Sequence, residues 1–250
     1  MSALRAVVLD TDGVLLDSAV FHATAWKTAF DGCLDAWAVG TGRQQPFDAD
    51  REYREIVDGK PRYDGASALL TARGLDLPPG SPHDPPGCAT VWSVAARKEQ
   101  EFARTLRTRA VDPFGDVAPA LAALRDLDVR CAAVSASRHA RPLLEAAGLL
   151  ELFDLVVDGT DAARLALPGK PDPALFLEAA RRLGAAPGRT AVVEDALAGV
   201  EAGRRGHFGL VVGIDRTGDP DKGPALRAHG ADVVAADLSA LPELVRGAGS

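Results

Sequence analysis

Five short runs of this chain are apolar almost throughout, and their spacing constrains the fold more than any other feature. Residues 6–9 (AVVL), 130–134 (RCAAV), 155–157 (LVV), 190–193 (TAVV) and 210–214 (LVVGI) are such runs, and 232–234 (DVV) is a shorter sixth candidate. Strands covered by helices on both faces read as continuous apolar runs, because neither face meets water. Helical patterns lie between them at 117–127, 141–147, 173–183 and 197–205, joined by short loops of Gly, Pro and Asp. This alternation calls for parallel strands with helical crossovers: an α/β, doubly wound, Rossmann-like sheet.

The stretch 18–110 departs from that pattern. Helical periodicity runs through 20–30, 51–57, 66–73 and 91–109 with no strand among them, and a Pro/Gly-rich loop, LPPGSPHDPPG, occupies 77–87. The expected organisation is therefore an α/β core from 1–17 and 111–250, interrupted by an all-helical cap at 18–110. A chain of 250 residues, 47% hydrophobic and 25% charged, has ample material for a core and a smaller insertion.

Charge and cysteine content exclude several classes. The net charge of -7 argues against a general nucleic-acid or anionic-membrane binder, so any anion site must be a local basic pocket. The start, MSALRAVVLD, is too briefly apolar for a signal peptide or a membrane span. Cys33, Cys88 and Cys131 are odd in number and have no C-x-x-C spacing. They read as reduced, buried thiols, not as a disulfide framework or a zinc site. The expectation is a cytoplasmic protein without nucleic-acid or membrane partners, a monomer with a dimer as the alternative.

Acids sit where two of the strands end. Residues 7–18, VVLDTDGVLLDS, place Asp10 and Asp12 just past the first run, and 190–203, TAVVEDALAGVEAG, place Glu194 and Asp195 past a later one. Open α/β sheets bind ligands beyond the carboxyl ends of their strands. Two carboxylates a few ångströms apart repel by roughly 4 kcal/mol at an effective dielectric of about 20, so the pairs need a cation, a shared proton or solvent. Magnesium suits such oxygen donors, since it takes one or two carboxylates, keeps waters and is completed by phosphate. The plainer possibilities are a solvated loop at Asp10 and Asp12 and a helix cap at Asp195. Ser135 and Ser137, at another strand exit, supply hydroxyl and N–H donors for phosphoryl oxygens. Lys170, between Pro168 and Pro171 at what reads as a further strand-to-helix crossover, supplies a positive charge. Together these groups make an apparatus for phosphoryl transfer: a carboxylate nucleophile, an acid/base, metal ligands and neutralising donors.

The ordered motifs DTDGVLLDS, VSAS, GKPDP and VVEDALAGVEAG resemble those of the haloacid dehalogenase superfamily of aspartyl-phosphate enzymes. The resemblance implies that Asp10 attacks phosphorus and that Asp12 protonates the leaving oxygen and deprotonates the incoming one. It implies that Ser135 and Lys170 bind phosphoryl oxygens. It also implies a magnesium ion held by the Asp10 carboxylate, the Asp12 carbonyl and Asp195, with Glu194 assisting. The cap resembles the β-phosphoglucomutase-like subfamily in FHATAWK (21–27), VDGKPRYDG (57–65) and Arg97-Lys98. By that resemblance His22, Trp26, Gly59, Arg62, Lys98 and Ser137 contact substrate, and Arg62 holds a distal, non-reacting phosphate.

A guanidinium fork suits that second phosphate, and a closing cap would exclude water and favour transfer over hydrolysis. The plainer possibilities are a salt bridge from Arg62 to Asp58 or Asp64 and helix packing for His22 and Trp26. Asp17 is expected to cap or hinge the entry to the first cap helix. Glu99 and Gln100 after Lys98, Arg138-His139 after Ser137, and Ala196 after Asp195 depart from the subfamily's habits; an acid at Glu99 is tolerable only if it points away. The implied activity is interconversion of β-glucose 1-phosphate and glucose 6-phosphate, with glucose 1,6-bisphosphate as activator. The alternative is a phosphatase of small sugar phosphomonoesters, and a non-catalytic binder is the third reading.

Overall fold

The computed structural model describes residues 3–41, 44–107 and 111–248. In chain order the elements are β1 (Ala6–Asp10), then α1 (Ala19–Asp31), α2 (Leu34–Thr41), α3 (Arg62–Ala72) and α4 (Val91–Leu106). They continue with α5 (Val117–Asp126), β2 (Arg130–Val134), α6 (Ala140–Ala146), β3 (Leu155–Val157), α7 (Gly159–Leu165) and α8 (Ala174–Arg182). The last are β4 (Thr190–Glu194), α9 (Leu197–Arg205), β5 (Leu210–Ile214), α10 (Lys222–Ala228), β6 (Val233–Ala235) and α11 (Leu241–Gly247). The chain divides into two compact units, Met1–Asp17 with Val111–Ser250, and Ser18–Ala110.

In the first unit all six strands are parallel, in the order β3-β2-β1-β4-β5-β6. β1 pairs with β2 on one side (Ala6 opposite Arg130) and with β4 on the other (Ala6 opposite Thr190). The chain therefore winds outward in one direction to β3 and then crosses to β4, which makes the carboxyl ends of β1 and β4 the topological switch point. β1, β4 and β5 are buried along their whole length, as their unbroken apolar runs require. One core cluster joins Val8, Val134, Val192 and Val211 of the strands to Phe176 and Ala179 of α8 and Val200 of α9.

The second unit is helical. α1 buries His22, Ala25, Trp26, Ala29 and Phe30, and α4 buries Val91, Val94, Ala95, Lys98 and Phe102, each a stripe at three- and four-residue intervals. α4 starts at a capping box in which Thr90 and Ser93 bond each other's backbone N–H groups. Trp26, Phe30, Trp37, Phe47, Tyr53 and Leu70 form this unit's own core. Residues 77–87 carry neither helix nor strand.

Several expectations need correction. Cys33 and Cys88 form a disulfide, with 5.4 Å between their Cα atoms; two residues 55 apart meet because α1 and the loop before α4 do, which no local spacing announces. Cys131 alone remains a thiol; burial, with Asp154 adding and Arg125 opposing, pushes its pKa up to about 12. Asp17 does not cap α1. Its side chain is exposed, its N–H donates to the Asp112 carbonyl (3.0 Å), and Ser18 holds the cap position without a side-chain capping bond to the helix. Residues 51–57 are helical as expected, but Tyr53–Val57 is a π-helical turn. α4 ends at Leu106, and positions 108–109 of the expected helix lie outside the described residues. Lys170 does not directly follow a strand, since α7 stands between β3 and its loop.

Candidate active site

The site assembles at the switch point. β1 delivers Asp10 as its last residue, and the chain then turns through Thr11, whose hydroxyl donates to the Val134 carbonyl at 3.0 Å and ties the turn to the end of β2. The Asp12 N–H donates to Asp10 Oδ2 at 3.0 Å, so the two acids are linked through backbone as well as by spacing. Gly13 sits at φ +79°, where a side chain would be strained and a Cβ would overlap the Asp195 carboxylate. Only glycine lets the β1 exit pass so close to the β4 exit.

Ser135 follows β2 and is fully buried; its hydroxyl donates to Asp12 Oδ2 at 3.1 Å and accepts from the Ser137 N–H at 3.0 Å. Ser137 is thereby next to this centre, with its own hydroxyl accepting from the His139 N–H at 3.2 Å. Lys170, 4% exposed, comes from the loop before α8, and its ammonium bonds both Asp10 Oδ1 and Glu194 Oε1. The same ammonium lies 4.9 Å from the Phe176 ring centroid. Glu194 Oε2 accepts from the Ala196 N–H at 2.7 Å, so Glu194, not Asp195, satisfies the chain entering α9. Asp195 makes no side-chain cap for α9, which removes the plain structural reading for it.

Electrostatics follow from burial. Desolvation raises the Asp10 pKa well above the ordinary value; Lys170 opposes the rise, while Glu194 and Asp12 add to it. Burial likewise works against the charge on Lys170, but Asp10 and Glu194 outweigh it and hold its pKa above the usual lysine range. One ammonium therefore does not balance this group of carboxylates. Asp10, Glu194 and Asp195 each offer an oxygen within 4.8 Å of the others'. The donors are all hard oxygens with surplus negative charge, and that chemistry fits a divalent cation of the magnesium or calcium kind.

Sequence reasoning missed a second ammonium. Lys222, at the start of α10, places its Nζ 3.3 Å from Asp195 Oδ2, with both side chains about one-tenth exposed. The sequence holds no signal for it, because α10 is seven residues long and Lys222 stands 27 positions from its partner.

The cap residues form two separate groups. His22 Nδ1 lies 3.0 Å from the Lys98 ammonium, His22 stacks on Phe102 (4.0 Å between centroids), and the ammonium sits 4.5 Å from the Phe102 ring and 5.6 Å from that of Trp26. All three expected contacts are thus 8% exposed or less, and Trp26 belongs to the helical unit's core. Gly59, at φ +71°, turns the chain toward α3, which Arg62 begins. Arg62 Nη1 meets Glu99 Oε2 at 3.1 Å, a partner other than the Asp58 or Asp64 of the plainer reading. Glu99 thus points toward the arginine, not away from it.

The sheet order and the paired acids at its switch point are those of an α/β enzyme with an oxygen-donor site at the carboxyl ends of its strands. A model of the haloacid dehalogenase-like hydrolases matches residues 4–207, and the chain belongs to that family. The β-phosphoglucomutase of Mycobacterium tuberculosis is 42% identical over 239 residues, 95% of this chain and 91% of that one. A haloacid dehalogenase family hydrolase from Deinococcus radiodurans, solved with bound phosphate and sodium, is 27% identical, covers 100% of this chain and 98% of its own, and has a TM-score of 0.66. A putative β-phosphoglucomutase from Bacteroides vulgatus, at 20% identity, shares the fold with a TM-score of 0.75 over 99% of this chain and 91% of its own. No helix among the described residues is long and apolar enough to cross a membrane.

Proposed function

We propose that this protein is a magnesium-dependent β-phosphoglucomutase, converting β-glucose 1-phosphate to glucose 6-phosphate through an aspartyl phosphate. The observation that carries the reading is the link between Asp10 and Asp12: a buried carboxylate backed by Lys170, hydrogen-bonded by the N–H of a second acid whose carboxylate Ser135 orients. The high identity to a mycobacterial β-phosphoglucomutase over nearly the full chain supplies the substrate class.

In this scheme an Asp10 carboxylate oxygen attacks the phosphorus of the donor, and the bond to the sugar oxygen breaks. Asp12 gives its proton to that oxygen. It then takes a proton from the acceptor hydroxyl, which attacks the aspartyl phosphate and releases Asp10. Ser135 and Lys170 neutralise the oxygens of the transferring group. A magnesium ion held by Asp10, Asp195 and Glu194 would supply charge stabilisation for those oxygens. Glucose 1,6-bisphosphate serves as the activator that loads Asp10.

One observation favours a second reading, a phosphatase of small sugar phosphomonoesters. Arg62 is already neutralised by Glu99, so the cap arginine meets a distal phosphate with its charge partly satisfied. The two are separated by incubating the protein with magnesium, β-glucose 1-phosphate and a trace of glucose 1,6-bisphosphate. The mutase accumulates glucose 6-phosphate; stoichiometric free phosphate would falsify it. Arg62→Ala then raises the KM for the bisphosphate about tenfold or more, the scale of one charge-assisted hydrogen bond of ~1.5–3 kcal/mol. An equal rise for a small monophosphate shows that Arg62 is structural.

A further inference from the structure

We infer that Lys222 is a charge-balancing residue that holds down the site's affinity for a divalent cation until a phosphate dianion arrives. The inference rests on the metal reading of Asp10, Glu194 and Asp195 proposed above. Four carboxylates converge there, those of Asp10, Asp12, Glu194 and Asp195, and two ammonium groups oppose them. Lys170 holds Asp10 and Glu194, and Lys222 reaches Asp195 from α10. With Asp12 protonated for its part as the acid, three negative charges face two positive ones, and a divalent ion leaves an excess positive charge that a phosphate dianion offsets.

Two effects of Lys222 compete. Its hydrogen bond to Asp195 Oδ2 steadies the carboxylate. Its charge repels any cation that shares that carboxylate. Repulsion wins, because a divalent ion doubles the Coulomb interaction in a site shielded from water, whereas the hydrogen bond contributes only the ordering of one short side chain. An incoming phosphate dianion reverses the balance, since its charge is attracted by both ammonium groups and by the ion. Metal and phosphate thus help each other to bind, and thermodynamic reciprocity makes the help equal in both directions.

The test measures Mg2+ binding by titration calorimetry to the full-length protein, with and without inorganic phosphate. Lys222→Gln, which keeps a donor and removes the charge, should bind Mg2+ about tenfold more tightly than the wild type without phosphate. It should also gain less from added phosphate. Lys222→Arg, which keeps the charge, should match the wild type and guards against a packing artefact. Unchanged or weaker Mg2+ binding in Lys222→Gln overturns the inference, and so does a tighter Lys222→Arg. Absence of Mg2+ binding by the wild type overturns the metal reading itself and the inference with it.

Discussion

At the scale of single residues, the site asks one buried lysine to hold two carboxylates. Lys170 bonds Asp10 and Glu194, all three less than one-tenth exposed. Removing one partner of such a buried group leaves charge stranded, so Lys170→Met should destabilise the fold by about 3–5 kcal/mol at neutral pH. Urea unfolding measures it. The sign with pH follows from Asp10, whose pKa burial raises in the fold. Stability from its protonated form is complete below the ordinary aspartate value and is lost as pH rises through the raised one, so the variant's deficit should shrink as the solution is acidified. A deficit independent of pH would show that Asp10 does not feel the missing ammonium. Asp12 is different in kind: it is half-buried, and its N–H, which serves Asp10, survives truncation. Asp12→Ala should therefore fold normally while losing about 10²–10⁴-fold in turnover, the range of a general acid/base. Loss of stability in place of turnover would make Asp12 a structural acid.

At the scale of elements, α7 and α8 are joined by an ion-pair network that the sequence does not display. Asp161 of α7 accepts from Arg164 at 2.7 Å and from Arg182 of α8 at 2.9 Å, and Glu178 accepts from Arg181 and Arg182. The bond from Arg182, with burial opposing and Arg164 helping, lowers the Asp161 pKa to about 2. Stability from this group is present above its unfolded value and lost as pH falls through the folded one, so acid unfolding should draw on it between about pH 4 and pH 2. Asp161→Asn should cost about 1 kcal/mol at pH 7, discounted for solvent screening, and flatten the acid limb of a thermal unfolding series. An unchanged acid limb would remove the network from the stability account. Elements of this sort mark the limit of sequence reading. Five of the six strands begin at their expected residues, and β6 begins one residue later, because a strand buried on both faces must be apolar throughout. α7, α10 and α11 escape notice because each carries few apolar positions, too few for a period to stand out, whereas α6, equally short, is read at 141–147 with its adjacent Leu143 and Leu144. The site shows the same division. Asp10, Asp12, Ser135, Lys170, Glu194 and Asp195 are legible because each follows or adjoins a recognisable run. Lys222 and the pairing of Arg62 with Glu99 depend on where separate helices come to lie, which no local pattern encodes.

At the scale of the whole molecule, the chain builds two cores, and a covalent tie belongs to only one of them. Val8, Val192 and Phe176 represent the core of the sheet unit, and Trp26, Phe30 and Phe47 that of the helical unit. The Cys33–Cys88 disulfide lies wholly within residues 18–110, with Cys33 fully buried in the helical core and Cys88 packed against it. Cross-linking residues 55 apart restricts the unfolded chain of that unit alone. The entropic estimate for a loop of that length is about 4 kcal/mol, an upper figure because reduced chains retain structure. The sheet unit has no such tie, and its one cysteine, Cys131, is buried with its thiol kept protonated. Reduction should therefore act unevenly. Hydrogen exchange followed by mass spectrometry, with and without dithiothreitol, should show faster exchange in peptides from α1 and α4 and little change in β1, β4 and β5. Cys33→Ser with Cys88→Ser should reproduce the pattern without reductant, which separates loss of the tie from side effects of the reagent. Uniform acceleration across both units would mean that they unfold as one cooperative body. No acceleration in α1 and α4 would mean that their packed aromatic core, not the disulfide, holds that unit together.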